Sequence, residues 1–260
     1  MIYYRAGKYL SGEVSLPITS LGFRFGFGVF ETLAYNGERV CHVERHGERF
    51  GQALKELGLE LELPDMDPVL DQVLERNGLK GSWARINYYG VVVDEGTSAS
   101  LIVSARPYIA DFSKEYRLFP IRPGWQSRLA AYKSMNHLYF HLARQEALEQ
   151  GFDDGLILSS GDEVLETAGG SVVFQQGGRY YCPSSRFKLP GTALAIAGSV
   201  LDITPRSIAL RSLPEYGHVY MLNSLIGMRP VRVVGDVCFE PDLEVCNLVT
   251  ERIVLAKAKS

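Results

Sequence analysis

The chain is expected to fold as an α+β protein of two domains, and three features of the sequence carry that expectation. Strand-length apolar segments alternate with amphipathic helical ones in both halves. Regular periodicity fades between Ala110 and Ala130, where the Pro-Gly of RPGWQSR breaks the chain. With 260 residues, 46% of them apolar, there is material for two cores. The expected division is 1–110 as a small N-terminal α+β domain, 111–130 as a strand and linker region, and 131–260 as a larger C-terminal domain. A cleft between two such domains is a preferred place for a ligand.

In the first half, IYY and KYL flank an Ala6-Gly7 turn and read as paired strands. GVFETLAY and RVCHV flank Asn36-Gly37, a pair suited to the positive φ angles of a type I′ turn, and predict a hairpin. In HVERHGERFGQALKELGL, Val43, Phe50, Leu54 and Leu57 fall at spacings of seven, four and three, an amphipathic helix closed by Gly58. A second helix is expected over residues 67–77, with Pro68 in its first turn, followed by strands at SWARINYYG and SASLIVSARP.

The strand-like YRLFPI stands alone in the irregular region, and AYKSMN then leads into a helix, HLYFHLARQEALEQ, closed by Gly151. Strands are expected at DGLILSS, EVLET, SVVFQQ, RYYCP, SIALRSL, HVYMLNS and PVRVV. A helix should open at LPGTALAIAGSVL, and a last one from about Pro241. No internal repeat is present.

A net charge of −3 offers no excess of basic residues for a phosphate backbone or an anionic bilayer, so neither nucleic acid nor membrane is an expected partner. The opening MIYYRAGKYL lacks an apolar stretch behind a basic end, and no run of about 18 apolar residues occurs, which points to a cytoplasmic location. Cys41, Cys182, Cys238 and Cys246 are scattered, without metal-ligand spacing, and are expected to be reduced, packed thiols with no metal site.

Four features could carry chemistry. Lys133 lies at the expected junction beside Ala131, Tyr132 and Met135; lysines are mostly solvated, but one held in such a pocket loses hydration and becomes a nucleophilic amine. Glu166, after a hairpin turned by Gly161-Asp162, is either a solvated strand-end carboxylate or one that keeps a pyridine nitrogen protonated. LPGTAL opens a helix whose first amides, at Thr192 and Ala193, could meet a phosphate. Arg49 and Arg45 lie on the first amphipathic helix, Arg49 beside its apolar stripe, where a guanidinium could reach inward to a phosphate.

In order and wording these parts resemble the fold-type IV pyridoxal-phosphate enzymes, a family that includes branched-chain and D-amino-acid aminotransferases and aminodeoxychorismate lyases. GFRFGFGVFETL is similar to the family's N-terminal strand motif, and HVERHGERFGQAL to its phosphate-arginine helix, with Arg49 at the matching place. KSMNHLYFHLARQEALEQGFDDGLILSSGDEVLE resembles the stretch from the Schiff-base lysine to the pyridine-binding glutamate. The resemblance therefore implies a D-amino-acid-aminotransferase-like fold with pyridoxal 5′-phosphate in the interdomain cleft, held by Lys133, Glu166 and Arg49. LPGTAL matches the phosphate-binding helix start, implying contacts from Thr192 and Ala193, and MLNSLIGMRPV implies further ones from Asn223 and Ser224. A homodimer acting on a small-molecule amine is also implied.

Within the family, K-S-M-N resembles the lyase and D-amino-acid branches, and NSLIGMRPV resembles the lyases, which convert 4-amino-4-deoxychorismate to 4-aminobenzoate and pyruvate for folate synthesis. An amino-acid aminotransferase of D-amino-acid or branched-chain type, and a non-catalytic relative, are the alternatives. Departures from the family pattern are Ser171 or a neighbour for an asparagine, Cys182 for a threonine, Ala193-Leu194 for Thr-Arg, Phe27 for an aspartate, and Tyr89 for an arginine. The last removes a cation that a dianionic substrate would use, leaving Arg24, Arg85, Tyr89 and His137 as substrate-side candidates.

Overall fold

The computed structural model describes residues 1–122 and 127–255; the expected Pro123-Gly124 breaker lies outside them. The chain divides into two compact units, one of Met1–Ala110 with Tyr132–His137, the other of Asp111–Ala131 with Leu138–Ala256. Tyr132–His137, expected to begin the C-terminal domain, clusters with the first unit because it is stitched to a strand there. Ser134 bridges Val29, the Phe30 amide donates to Lys133 O at 2.8 Å, and the Met135 amide donates to Gly28 O at 2.9 Å.

The first unit runs β1 (Ile2–Arg5), β2 (Lys8–Ser11), α1 (Leu21–Phe25), β3 (Gly28–Asn36), α2 (Val43–Glu56), α3 (Met66–Arg76), β4 (Trp83–Val92) and β5 (Ala99–Pro107). Its sheet has the order β2-β1-β5-β4-β3, antiparallel throughout. Strand alternation sends Leu33, Tyr35, Ile86 and Tyr88 into one core with Phe50 and Leu54 of α2 and Leu70, Val73 and Leu74 of α3. Phe50 meets the Tyr88 ring edge-on at 4.8 Å; burying such a side chain contributes about 1.5–3 kcal/mol.

The hairpin expected at Asn36-Gly37 does not form as such. What forms is a short one: the Tyr35–Val40 bridge is flanked by the Asn36 amide on Arg39 O at 3.2 Å and the Cys41 amide on Ala34 O at 2.8 Å, Asn36 Oδ1 accepts the amides of Glu38 and Arg39, and His42, at φ 55°, then starts α2. The partner of β3 is β4. The short helix α1, with Ser20 Oγ capping the Phe23 amide at 3.2 Å, was not foreseen. The glycines of FRFGFG have a steric reason: a Cβ on Gly28 would lie 2.6 Å from Gly90 O and 2.8 Å from the Met135 sulfur.

The second unit runs β6 (Tyr116–Ile121), α4 (Leu138–Glu149), β7 (Asp154–Leu158), β8 (Val164–Thr167), β9 (Ser171–Gln176), β10 (Arg179–Pro183), α5 (Thr192–Ala197), β11 (Ile203–Arg206), β12 (His218–Asn223), β13 (Gly227–Val234), β14 (Val237–Cys238) and α6 (Leu243–Thr250). Its sheet order is β11-β10-β9-β12-β13-β6-β7-β8, with β14 on β13. Thr167 and Ser171, which end β8 and begin β9, are four residues apart and so at most about 14 Å. Yet five strand spacings, about 24 Å if flat, separate those strands along the path. The sheet must curl, and the curl wraps a core of Leu118, Leu156, Leu158, Phe174, Val219 and Met221.

SIALRSL, expected as a strand, is instead a bridge at Ala209 followed by a 3-10 turn over Leu210–Glu215, which contains Pro214. The strand there is β11, pairing in parallel with β10, and it was not foreseen. All four cysteines are free; three are buried, but Cys238 is exposed rather than packed. Among the described residues no helix is long and apolar enough to cross a membrane, and no cluster of His, Cys, Asp or Glu could hold a metal.

Candidate active site

In the first unit, Lys133 is half-buried and fixed by the backbone bonds of its segment to β3. Its Nζ lies 4.5 Å from the centre of the Phe30 ring, so the amine rests on an aromatic wall. Phe30 also stacks on Tyr89 at 6.1 Å and takes the edge of His137 at 5.3 Å. Lys133, Tyr89 and His137 are thus brought together around one ring. Burial first, and the charge of Lys133 second, push His137 down to about 4, so it faces the amine as a neutral imidazole at pH 7. Burial also raises the Tyr89 hydroxyl above its ordinary range.

Arg49 is held by Glu31, which the sequence reading passed over. Nε and Nη2 of Arg49 donate to the two oxygens of Glu31 at 2.7 and 2.6 Å, and His46 Nδ1 lies 2.7 Å from Oε2. Glu31 is 1% exposed. Burial pushes its carboxyl up, but the His46 and Arg49 hydrogen bonds outweigh that and hold it at about 2. The bidentate pair fixes the guanidinium's direction. Signal for this was present: Val29, Glu31 and Leu33 share one strand face, so a glutamate among inward positions needed a cation from α2.

Arg85 Nε donates to Asn87 Oδ1 at 2.9 Å, and Asn87 Nδ2 in turn donates to Glu31 O and Thr32 Oγ1. Arg24 is exposed at the end of α1, its guanidinium 4.9 Å over Phe25.

In the second unit, Glu166 is 7% exposed on β8, its carboxylate receiving the Leu189 amide at 3.3 and 3.4 Å. Thr192 and Ala193 open α5 behind Gly191, which supplies no side-chain cap. Thr192 Oγ1 and Ser224 Oγ are 3.2 Å apart, a pair of hydroxyls at one place. Asn223 is occupied with shaping its own turn: Oδ1 accepts the amides of Leu225 and Ile226, and Nδ2 donates to Gly169 O at 2.9 Å. Ser171, at the departure from asparagine, packs against Gly191, where a Cβ would come within 2.4 Å of Oγ.

A second unforeseen carboxylate is Asp154, 1% exposed at the start of β7. Burial pushes it up to about 6, against Arg144 and the amides of Gly155, Gly169 and Ala168. Because its folded value exceeds its ordinary one, its contribution to stability is fully present below about pH 4 and is lost as pH rises through about 6. Relative to Asp154→Asn, the native protein is expected to lose as much as about 3 kcal/mol over that window. Urea unfolding of both at several pH values measures it, and parallel pH profiles would refute the assignment.

The family model described as amino-transferase class IV matches residues 28–234. The chain belongs to the class IV aminotransferase family. Two relatives are each named aminodeoxychorismate lyase. One, from Bacillus subtilis (strain 168), is 26% identical over 71% of this chain and 67% of its own length. The other, from Vibrio harveyi, is 24% identical over 84% of this chain and 87% of its own. A structure described as a hypothetical aminotransferase from Mycobacterium tuberculosis, PLP-bound form, shares the fold with a TM-score of 0.84 at 19% identity, covering 99% of this chain and 100% of that one. For this class IV chain, the match spans both units and includes every candidate residue except Arg24.

Proposed function

We propose that this chain is a pyridoxal-phosphate-dependent aminodeoxychorismate lyase, converting 4-amino-4-deoxychorismate into 4-aminobenzoate and pyruvate. The observation that carries this reading is that both curated relatives, each matched over more than two thirds of the chain, bear that name. The residues present fit the cofactor: an amine on an aromatic wall, a buried carboxylate for a ring nitrogen, and an oriented guanidinium and paired hydroxyls for a phosphate.

When bound, pyridoxal phosphate supplies a carbonyl that links to amines and a ring that spreads the charge left by proton loss. Lys133 would hold the cofactor through its amine and, with the substrate amine in that place, would be the base that removes the proton from the amine-bearing carbon. Glu166 keeps the ring nitrogen protonated. Arg49, Thr192, Ala193 and Ser224 bind the phosphate, while Asn223 shapes the turn that carries Ser224. Pyruvate would leave as its enolate with the electron pair of the broken C–O bond as the carbocycle becomes aromatic, the Lys133 ammonium would give its proton to the enolate carbon, and the Lys133 amine would take back its place as 4-aminobenzoate leaves. Arg24, Arg85, Tyr89 and His137 are the candidates for the substrate's carboxylates.

The test is to supply 4-amino-4-deoxychorismate to the cofactor-loaded protein without any 2-keto acid and follow both products. Equimolar 4-aminobenzoate and pyruvate are expected. No product, with the lysine-linked absorbance intact, would favour an aminotransferase and call for amino donors paired with 2-keto acids.

Glu166→Gln is expected to bind the cofactor at least about 10-fold more weakly, still filling at saturating pyridoxal phosphate, and to slow kcat by roughly 100-fold, because an amide cannot hold the ring proton. Steady-state kinetics beside cofactor absorbance measure this; an unchanged kcat would remove Glu166 from the mechanism. We further propose a cytoplasmic homodimer, to which the exposed Ile18, Phe23 and Phe25 would offer apolar surface. Sedimentation at micromolar concentration checks it.

A further inference from the structure

Asp154 is a buried carboxylate that this mechanism leaves unemployed. Its Oδ1 accepts the Gly155 amide at 2.8 Å, and the Gly169 amide also acts on the carboxylate, while the Ala168 amide donates to Gly155 O at 2.8 Å. A Cβ on Gly169 would stand 2.6 Å from Oδ2, so only glycine lets the turn settle this closely on the acid. The same residue's carbonyl takes Asn223 Nδ2 at 2.9 Å, and Gly170 O takes both the amide and the hydroxyl of Thr167, each at 2.9 Å. The turn from β8 to β9 is therefore held at the Gly169 amide by the carboxylate, at the Ala168 amide by Gly155 O, and at its carbonyls by donors. It begins directly after Glu166 and Thr167.

Stability alone does not account for an acid at this place. A carboxyl that burial holds at about 6 costs the folded state free energy at neutral pH, and Arg144, the cation acting on it from α4, does not cancel that cost. Groups kept in such conflict cluster at functional sites.

We propose that Asp154 is a positioning residue for Glu166: by holding the Gly169 amide, and the Gly155 amide of the residue whose carbonyl takes Ala168, it fixes the end of β8 from which Glu166 meets the bound ring nitrogen. This rests on the pyridoxal-phosphate reading and not on the choice between lyase and aminotransferase. Asp154 touches neither substrate nor cofactor in this role; it acts through the turn. Outer partners of this kind, as at metal sites, typically alter affinity 10- to 100-fold.

The experiment is a double-mutant cycle read by cofactor affinity, titrating apo-protein with pyridoxal phosphate for wild type, Asp154→Asn, Glu166→Gln and the double variant. Asp154→Asn is expected to weaken binding roughly 10-fold alone and less than about twofold in the Glu166→Gln background, since its effect passes through Glu166. Amide exchange at Gly155 and Gly169 should quicken in both Asp154 variants. An equal loss in both backgrounds, or a lowered Tm with unchanged affinity, overturns the positioning role while leaving the cofactor reading intact. Wild-type protein that takes up no pyridoxal phosphate overturns both.

Discussion

Lys133→Ala should lose turnover by at least about a thousandfold while unfolding as cooperatively as the native protein. The size follows from the proposed roles: one amine serves as cofactor anchor, base and acid, and each proton transfer is typically worth 10²–10⁴-fold. The preserved fold follows from geometry. What stitches the segment to β3 is backbone, the Phe30 amide on Lys133 O and the Met135 amide on Gly28 O, and alanine keeps both. The side chain gives up its place over Phe30, about 0.5–1 kcal/mol at a partly exposed site. Thermal unfolding, borohydride trapping and product formation form the measurement. A variant with more than about 1% of native activity would exclude Lys133 as the catalytic amine.

The largest loss of stability is expected at Glu31. Glu31→Ala would leave the Arg49 guanidinium and the His46 ring facing an empty, buried space, at a cost of about 3–5 kcal/mol. The pH dependence has a definite sign. The folded carboxyl is held at about 2, below its ordinary value, so the stabilisation is present above about pH 4.5 and is lost as pH falls through about 2. The stability gap between native protein and Glu31→Gln should accordingly narrow in acid, and a constant gap from pH 7 to about 3 would contradict the ion-pair account. Phosphate binding should weaken in the same variants, because Arg49 loses the partner that sets its direction.

Amphipathic α2 and the alternating β4 and β5 could be read from the sequence because each buries one face against a shared core, so hydrophobic spacing reports their geometry. Lys133, Glu166 and Arg49 stood out as candidates for another reason: the order of chemical types resembled a known family. Where tertiary contacts decide, reading failed. SIALRSL has the composition of a strand, but Pro214 and the bridge at Ala209 bend it, while the less apolar Ile203–Arg206 pairs with β10. Glu31 and Asp154 escaped notice because charged residues in strands ordinarily face water. Their partners come from α2 and from the β8–β9 turn, far enough along the chain that local spacing could not join them.

The parallel pairing of β6 with β13 joins Tyr116 to Val231 across 115 positions of sequence. Little of the second unit's closure is therefore local, and the entropy of bringing those strands together must be met before their hydrogen bonds form. During synthesis, β6 would leave the ribosome long before its partner β13 and wait with one open edge even after β7 and β8 have paired on its other side. A nascent chain halted before residue 231 is thus an aggregation hazard, whereas one carried a few residues further has everything needed to close its sheet.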